Sequence, residues 1–393
     1  MPGWYEATKQ FLDAGKIQMV GIIQEQHPDR CKLFMQWKQM DWPIMVDSLN
    51  ELEVQVVPIT LFIDEYGIIQ GKGRRASSAA EAVKKFLSQT FYPPGRLVST
   101  RCARPDLDQL KKSTESGSAT SWRNFGTSLV NWAGPERYGE AINAFEKALA
   151  IEPEHGLTHF QYGVALRKRY DSGQRMEKDF QNAANEWSAA LDINPNQYIW
   201  RRRIQQYGPR LMKPYPFYDW VPQARKDIEA RGETPHELLV EPSGAEFAQP
   251  ERSFSAEETP QENPDPLGRI DRDQEGFISV EIVVVPATVQ PGKAVRVHIQ
   301  MRPNASIKAH WNNEADDTEM WIDPPAGWEI DRRRHKVGIP PDAAVSLETR
   351  TIEFELMVPD DAEPGEFTLP AYALYYVCEG INGVCLFRRQ DLS

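Results

Sequence analysis

One pattern occurs twice in this 393-residue chain, 42 residues apart, and constrains its fold more than any other feature. In the first copy Ala141, Phe145, Ala148 and Pro153 stand at spacings of four, three and five. In the second, Ala183, Trp187, Ala190 and Pro195 stand at the same spacings. Steps of three and four keep residues on one face of an α-helix. The small residues let a second helix approach, the aromatic fills the space between the two, and the proline ends the helix. Upstream of each copy lies a helical stretch with a glycine, Gly126 in FGTSLVNW and Gly163 in YGVALRKR. Residues 119–231 are therefore expected to form paired helices. Two copies fall below the three or more that usually stabilise a stack, so Tyr198 to Ala230 is expected to supply a capping helix.

This pattern resembles the tetratricopeptide repeat, which implies a groove that binds a peptide or protein partner. It departs from that family in length. Glycine to the alanine of the next helix is 15 residues in the first copy and 20 in the second, so both turns carry insertions. A plain helical spacer is the competing reading.

Ahead of the helices, residues 1–90 alternate apolar runs with helical patterns. A helix over Trp4 to Ala14 precedes the strand IQMVGIIQ, a helix opened by Pro28, the strand PIMVD at Pro43 to Asp47, VPITLFID ending at Asp64, a turn, the strand GIIQG, and a helix from Ala76 to Phe91. That order predicts an α/β unit. With Val57-Pro58, Ile59 to Asp64 and Gly67-Ile68-Ile69, it resembles a thioredoxin-like domain of the redoxin or thiol-peroxidase type. The resemblance implies that Pro58, after Val57, is a cis-proline facing an active site. The first strand and Cys-x-x-Cys of such a domain are missing, and no Pro-x-x-x-Thr-x-x-Cys motif replaces them. Cys31, beside Leu33 and Phe34, is expected to be an inert core residue. Two explanations compete: the catalytic strand was lost, or the recorded start lies downstream of the true one. The second is preferred, because a sheet without its first strand exposes an edge and loses core.

Residues 91–118 read as a connector. Residues 232–276 hold 12 acidic residues, 3 arginines and 6 prolines, a net of −9 out of −12 for the whole chain. This stretch is expected to be a solvated linker, leaving the folded parts nearly neutral. With no basic aromatic-rich stretch, nucleic acid is not an expected partner. No apolar run approaches the ~20 residues of a membrane-spanning helix, and the first twenty residues do not read as a signal peptide.

Residues 277–393 alternate strand-like runs with Pro, Gly and Asp turns, which predicts an all-β antiparallel sandwich. Near its end Cys378 and Cys385 flank a glycine-containing turn between LYYV and LFRR, so the two sulfurs can meet across a hairpin. Closing so short a loop stabilises by only about 2.5 kcal/mol on the chain-entropy model. The region, Tyr375 to Cys378 and Gly383 to Cys385, resembles the immunoglobulin-like N-terminal periplasmic domain of the DsbD thiol:disulfide interchange family. That implies a redox-active pair, with either Cys378 or Cys385 attacking a partner disulfide and the other resolving it. Arg388 and Arg389 would favour the thiolate and Glu379 would oppose it. The six intervening residues are one more than the family leads one to expect. A structural bridge carries equal weight.

Other groups point to less. His310 to Glu314 either caps the cysteines or reaches a metal, but a turn with a half-buried Trp311 is favoured, since no further ligands accompany it. Arg332 to His335 reads as a solvated turn, and Arg201 to Arg203 as a solvated helix end. No phosphate loop or hydrolase elbow is present, and no cofactor or metal is expected. The expectation is a three-module thiol–disulfide redox protein of the cell envelope, with a protein partner on its repeats and an exchange partner at its cysteines. The competing expectation is a non-catalytic adaptor in which the thioredoxin-like part is degenerate and the hairpin disulfide structural.

Overall fold

A computed structural model describes residues 2–73, 76–93, 95, 104–210, 218–243, 246–247, 261–339, 346–380 and 383–392. The chain is of mixed class, with ten α-helices and antiparallel sheets among the described residues. It divides into two compact units: 1–175, 186–204 and 217–242 form the first, and 176–185, 205–216 and 243–393 the second.

The first unit begins with α1 (Pro2–Asp13), β1 (Gly21–Ile23), α2 (Asp29–Lys38), β2 (Ile44–Val46), β3 (Thr60–Ile63), β4 (Ile69–Gly73) and α3 (Ala79–Leu87). β1 pairs in parallel with β2, and β3 in antiparallel with β4. These are two separate two-stranded sheets. The connector holds a helix, α4 (Leu107–Ser113), because the Asp106 carboxylate accepts the backbone N–H groups of Asp108 and Gln109, both at 3.0 Å. Then follow α5 (Ala119–Trp132), α6 (Tyr138–Ile151), α7 (Gly156–Tyr170), α8 (Asp179–Ile193), whose residues up to Asn185 belong to the second unit, and α9 (Tyr198–Gln205). The two repeated sets occupy α6 and α8, and Ala141, Phe145, Ala148, Ala183, Trp187 and Ala190 are all buried. A Cβ on Gly126 would meet the Phe145 ring at 3.1 Å and Ala141 O at 3.2 Å, so the bare glycine is what lets α5 lie against α6. Pro153 and Pro195 stand two residues past the ends of α6 and α8.

The capping role expected of 198–230 is divided. Trp200 of α9 stacks on Phe160 of α7 at 5.7 Å. α10 (Val221–Ala230) instead packs on α2, where Trp37 and Trp220 stack at 5.8 Å and Trp37 Nε1 donates to Asp227 at 2.7 Å. Arg203 is not a solvated helix end. Its side chain is 2% exposed, donates to Gln26 Oε1, to Gln24 O at 2.5 Å and to Ser48 O at 3.3 Å, and lies 5.2 Å from the Phe160 ring centre. One guanidinium thus holds the β1–α2 and β2 loops against α9 and α7.

In the second unit, β5 (Ile278–Val285), β6 (Ala294–Pro303), β11 (Arg350–Met357) and β9 (Glu329–Ile330) form one antiparallel sheet in the order β5-β6-β11-β9. The other runs β10 (Arg334–Val337), β8 (Thr318–Ile322), β12 (Ala371–Glu379), β13 (Cys385–Leu392), with β7 (Ala309–Trp311) also on β12. Strand alternation gives each sheet one apolar face. Val297, Ile299, Phe354, Met320, Tyr375 and Trp311 belong to a single core drawn from both. Two expectations fail here. Arg334 and His335 lie in a strand, with Arg334 paired to Glu319 at 2.6 Å, and Trp311 is fully buried in β7 instead of half-buried in a turn.

On the far face of β6 and β11, Arg296 bonds Glu355 at 3.0 Å and Glu353, and Glu353 meets His298 Nδ1 at 2.8 Å. Burial pushes the Glu355 carboxyl up. Burial would also raise Glu353, but His298 and Arg296 outweigh it and hold that carboxyl low. Removing one partner of such a set leaves an uncompensated buried charge. Arg296→Ala is expected to cost about 3–5 kcal/mol in urea unfolding.

In the first unit His159 Nδ1 lies 2.6 Å from Glu186 and Nε2 lies 2.8 Å from Pro153 O, two acceptors that only an imidazolium satisfies together. The Glu186 hydrogen bond raises its pKa, against an opposing effect of burial. The contribution is therefore full below the unfolded histidine value of about 6.5 and fades as pH rises through the raised folded value. A His159→Gln variant is expected to lack that component of the stability-versus-pH curve, measured by thermal unfolding from pH 5 to 9.

Candidate functional site

The β12–β13 hairpin brings the predicted pair together. Its register runs from Ala371 opposite Leu392 to Cys378 opposite Cys385. Glu379 N donates to Val384 O at 3.3 Å, so Glu379 and Val384 are a hydrogen-bonded pair. Cys378 and Cys385 are the neighbouring non-hydrogen-bonded pair, where facing side chains come closest. Their Cα atoms are 4.0 Å apart and the sulfurs are joined. Gly380 opens the turn at φ +62°, a conformation that suits glycine, and its N–H is anchored on Lys308 O at 3.0 Å. The two cysteines differ in environment. Cys378 is 3% exposed, whereas Cys385 is exposed.

Alternation along β12 sends Ala373, Tyr375 and Val377 into the core, so Tyr372, Leu374, Tyr376 and Cys378 take the outer face. Next to the disulfide, Tyr376 stacks on Phe387 of β13 at 4.4 Å. Farther along, Tyr372, Leu374 and Trp321 form a small apolar cluster with Ile270 and Phe387 packed on it. A groove of about 520 Å³ runs beside this face, lined among others by Ile270, Asp317, Glu319, Leu374, Tyr376 and Phe387.

The other side of Cys378 is occupied by His310, which stands directly opposite it in the β7–β12 register. His310, Cys378 and Cys385 therefore form one row across three strands. The imidazole reaches Gly380 O and Trp311 O, each at 3.0 Å. Trp311 is fixed by Nε1 donating to Glu348 O at 2.9 Å and by Arg350 over its ring at 4.3 Å. The sequence offers His310 as one element of a cap over the cysteines, although a turn is favoured there. The pairing that makes it a neighbour of Cys378 spans 68 residues and leaves no local signal.

Residues 261–276, read from sequence as part of a solvated linker, lie on this sheet. Arg389 N donates to Asp271 O and Asp273 N to Arg389 O, both at 2.9 Å, in a short parallel bridge. Asp265 is buried. Burial would raise its carboxyl, but hydrogen bonds from Arg389, Arg269 N and Ile270 N outweigh this and hold it below the usual range. Arg389 is thus engaged by Asp265 at 2.8 Å and Asp391 at 2.7 Å. It stands four residues from Cys385, about 13 Å along a strand. Arg388 is in register with core-facing Tyr375 and so starts from the opposite face. The expectation that these arginines favour the thiolate is not met by this placement.

In the first unit the Val57–Pro58 bond is cis. On the neighbouring stretch of chain Val57, Ile59, Leu61 and Ile63 are exposed, as are Met45 and Val46 of β2. Cys31 sits on α2, half-buried. Cys102 lies outside the described residues. Among the described residues no group of three or more His, Cys, Asp or Glu is placed to hold a metal, and no helix is long and apolar enough to cross a membrane.

No protein-family model matches the chain, and no curated protein matches it. Among solved structures, the sporulation control protein Spo0M from Bacillus subtilis is similar over 30% of this chain and 49% of its own, at 11% identity and a TM-score of 0.15. The alkylpurine DNA glycosylase AlkC from Pseudomonas fluorescens, bound to DNA containing an abasic site analog, is similar over 72% and 64%, at 9% identity and a TM-score of 0.16. The chain spans about half the length of the first and less than two thirds of the second. At these scores neither likeness bears on fold or function.

Burial, reinforced by Glu25, pushes the Cys31 thiol up to about 11. Only the thiolate is nucleophilic, so this cysteine is close to inert at neutral pH. In a Cys102→Ser background, iodoacetamide at pH 8 is expected to label Cys31 about a hundredfold more slowly than an unfolded control, read by peptide mass spectrometry.

Proposed function

We propose that this protein exchanges thiols and disulfides with a protein partner through Cys378 and Cys385. The observation that carries this reading is the pair's asymmetry: an exposed Cys385 bonded to a buried Cys378 on a hairpin that does not depend on the bond. Register pairs from Ala371↔Leu392 onward hold β12 to β13, and β12 is also paired to β7 and β8. Breaking the sulfur bridge therefore leaves the ladder intact. A staple worth about 2.5 kcal/mol suits a bond that opens and closes.

A partner thiolate attacks Cys385 Sγ, forming a mixed disulfide and expelling the electron pair onto Cys378 as thiolate. A second partner thiolate attacks its own half of the mixed disulfide, releasing Cys385. The partner dithiol is oxidised to a disulfide and the hairpin pair is reduced by two electrons. The reverse sequence reduces a partner disulfide. The helical hairpins, by their resemblance to tetratricopeptide repeats, are the proposed protein-binding part. The N-terminal α/β portion is proposed as a thioredoxin-like unit, in an envelope protein, where disulfides persist.

Equilibration with glutathione is expected to give a midpoint near −200 mV; a value below about −300 mV marks a structural bond and overturns the reading. Cys378→Ser leaves the exposed thiol and is expected to accumulate mixed disulfides, whereas Cys385→Ser leaves only the buried sulfur and is expected to form few, both read on non-reducing gels.

A further inference from the structure

Strand β13 lies at the edge of its sheet, with β12 on one side. Because Glu379 and Val384 are a hydrogen-bonded pair, residues 384, 386, 388 and 390 turn their backbone groups toward β12, and 385, 387, 389 and 391 turn theirs outward. Arg389 uses both outward groups on Asp271 and Asp273. Phe387 O accepts from Arg388 Nη1 at 3.2 Å. The N–H and C=O of Cys385 and the N–H of Phe387 have no hydrogen-bond partner among the described residues. Such an edge is a template for another strand.

This vacancy coincides with the direction that the chemistry requires. Thiolate attack on a disulfide is an in-line displacement: the nucleophile enters along the S–S axis, on the far side of the attacked sulfur from the leaving one. Here the bond joins residues that stand opposite each other across the strands, in the row His310–Cys378–Cys385. Attack on Cys378 would have to enter from the side that β7 fills. Attack on Cys385 enters from beyond β13, where a neighbouring strand would lie about 4.7–4.9 Å away. A residue opposite Cys385 on that strand points to the same sheet face, its Cβ about 4.5–5.5 Å from that of Cys385. A cysteine there is aimed at Cys385 Sγ by the pairing itself.

We propose that the edge of β13 at Cys385 to Phe387 docks an extended, cysteine-bearing strand of the exchange partner, continuing the ladder that Asp271 to Asp273 begin at Arg389. The proposal rests on the exchange reading and names its substrate class. The partner segment is a short strand whose cysteine faces Cys385. Two residues away it carries an aromatic or large apolar side chain, which meets Phe387 and the Tyr376 stack on the same face. Its thiolate bonds Cys385 Sγ, the Cys378–Cys385 bond breaks, and the electron pair leaves on Cys378. The ladder bonds hold the mixed disulfide in place until it is resolved.

The test uses the full chain and two synthetic hexapeptides, each with one cysteine and a phenylalanine two residues from it. One is unmodified, and the other is N-methylated at the cysteine and both its neighbours, which removes edge donors in either strand direction. Mixed-disulfide formation at Cys385 is timed by mass spectrometry, each rate divided by that peptide's rate with oxidised glutathione, with reduced glutathione as the non-strand thiol. Two or three ladder bonds at about 0.5–1.5 kcal/mol each predict a normalised rate at least about fivefold higher for the unmodified peptide. The methylated peptide is expected to fall to the level of glutathione. Equal rates, or a faster methylated peptide, overturn the docking and leave exchange standing. A bond that neither peptide nor glutathione opens overturns both.

Discussion

The alternation of side chains along β12 is the constraint on which the site depends. Every second residue is committed to the core shared by the two sheets, and among these Tyr375 packs edge-on against Trp311 at 5.8 Å and donates to Asp273 at 2.7 Å. That commitment leaves no freedom for Cys378. A one-residue slip would bury Tyr376 and turn Tyr375 to solvent. Core packing about 10 Å along the strand thus fixes which face the sulfur takes, and the hairpin register then fixes Cys385 opposite it.

Much of this architecture is legible in the sequence because its causes are local. The strand runs in 277–390 carry β-branched and aromatic residues at period two, and strands occur there. The paired helices announce themselves through small residues and aromatics at fixed spacing, and the hairpin through two strand-like runs around a glycine. What escapes the sequence is set by partners far along the chain. Asp265 and Asp273 look like solvated acids in a proline-rich stretch, yet each folds back to accept neighbouring N–H groups and then bonds to β12 or β13 side chains. The same holds for α10, whose apolar face gives no sign that it serves α2. Arg203 reads as a solvated basic run because its acceptors are backbone carbonyls and an amide from residues 24–48, which no charge pattern encodes.

Electrostatics in the two units follow one rule. Charges that leave water do so in company. Arg296 with Glu353 and Glu355, His159 with Glu186, and Arg389 with Asp265 each satisfy their geometry with more than one partner. The disulfide row is different in kind. Its sulfurs are uncharged while joined, and a negative charge arises on Cys378 only when the bond opens. The nearest titratable residue in register is His310, and the basic residues that follow Cys385 in sequence are occupied elsewhere.

Arg203 carries a consequence for how the molecule comes apart. Its acceptors belong to the N-terminal α/β portion, while its own helix packs on the repeat-bearing helices, so two regions that a reader of the sequence would draw as separate boxes share one buried cation. Pulling them apart strands that cation in an apolar setting between Phe160 and Trp187. A boundary drawn between them for expression or evolutionary shuffling would cut through that contact.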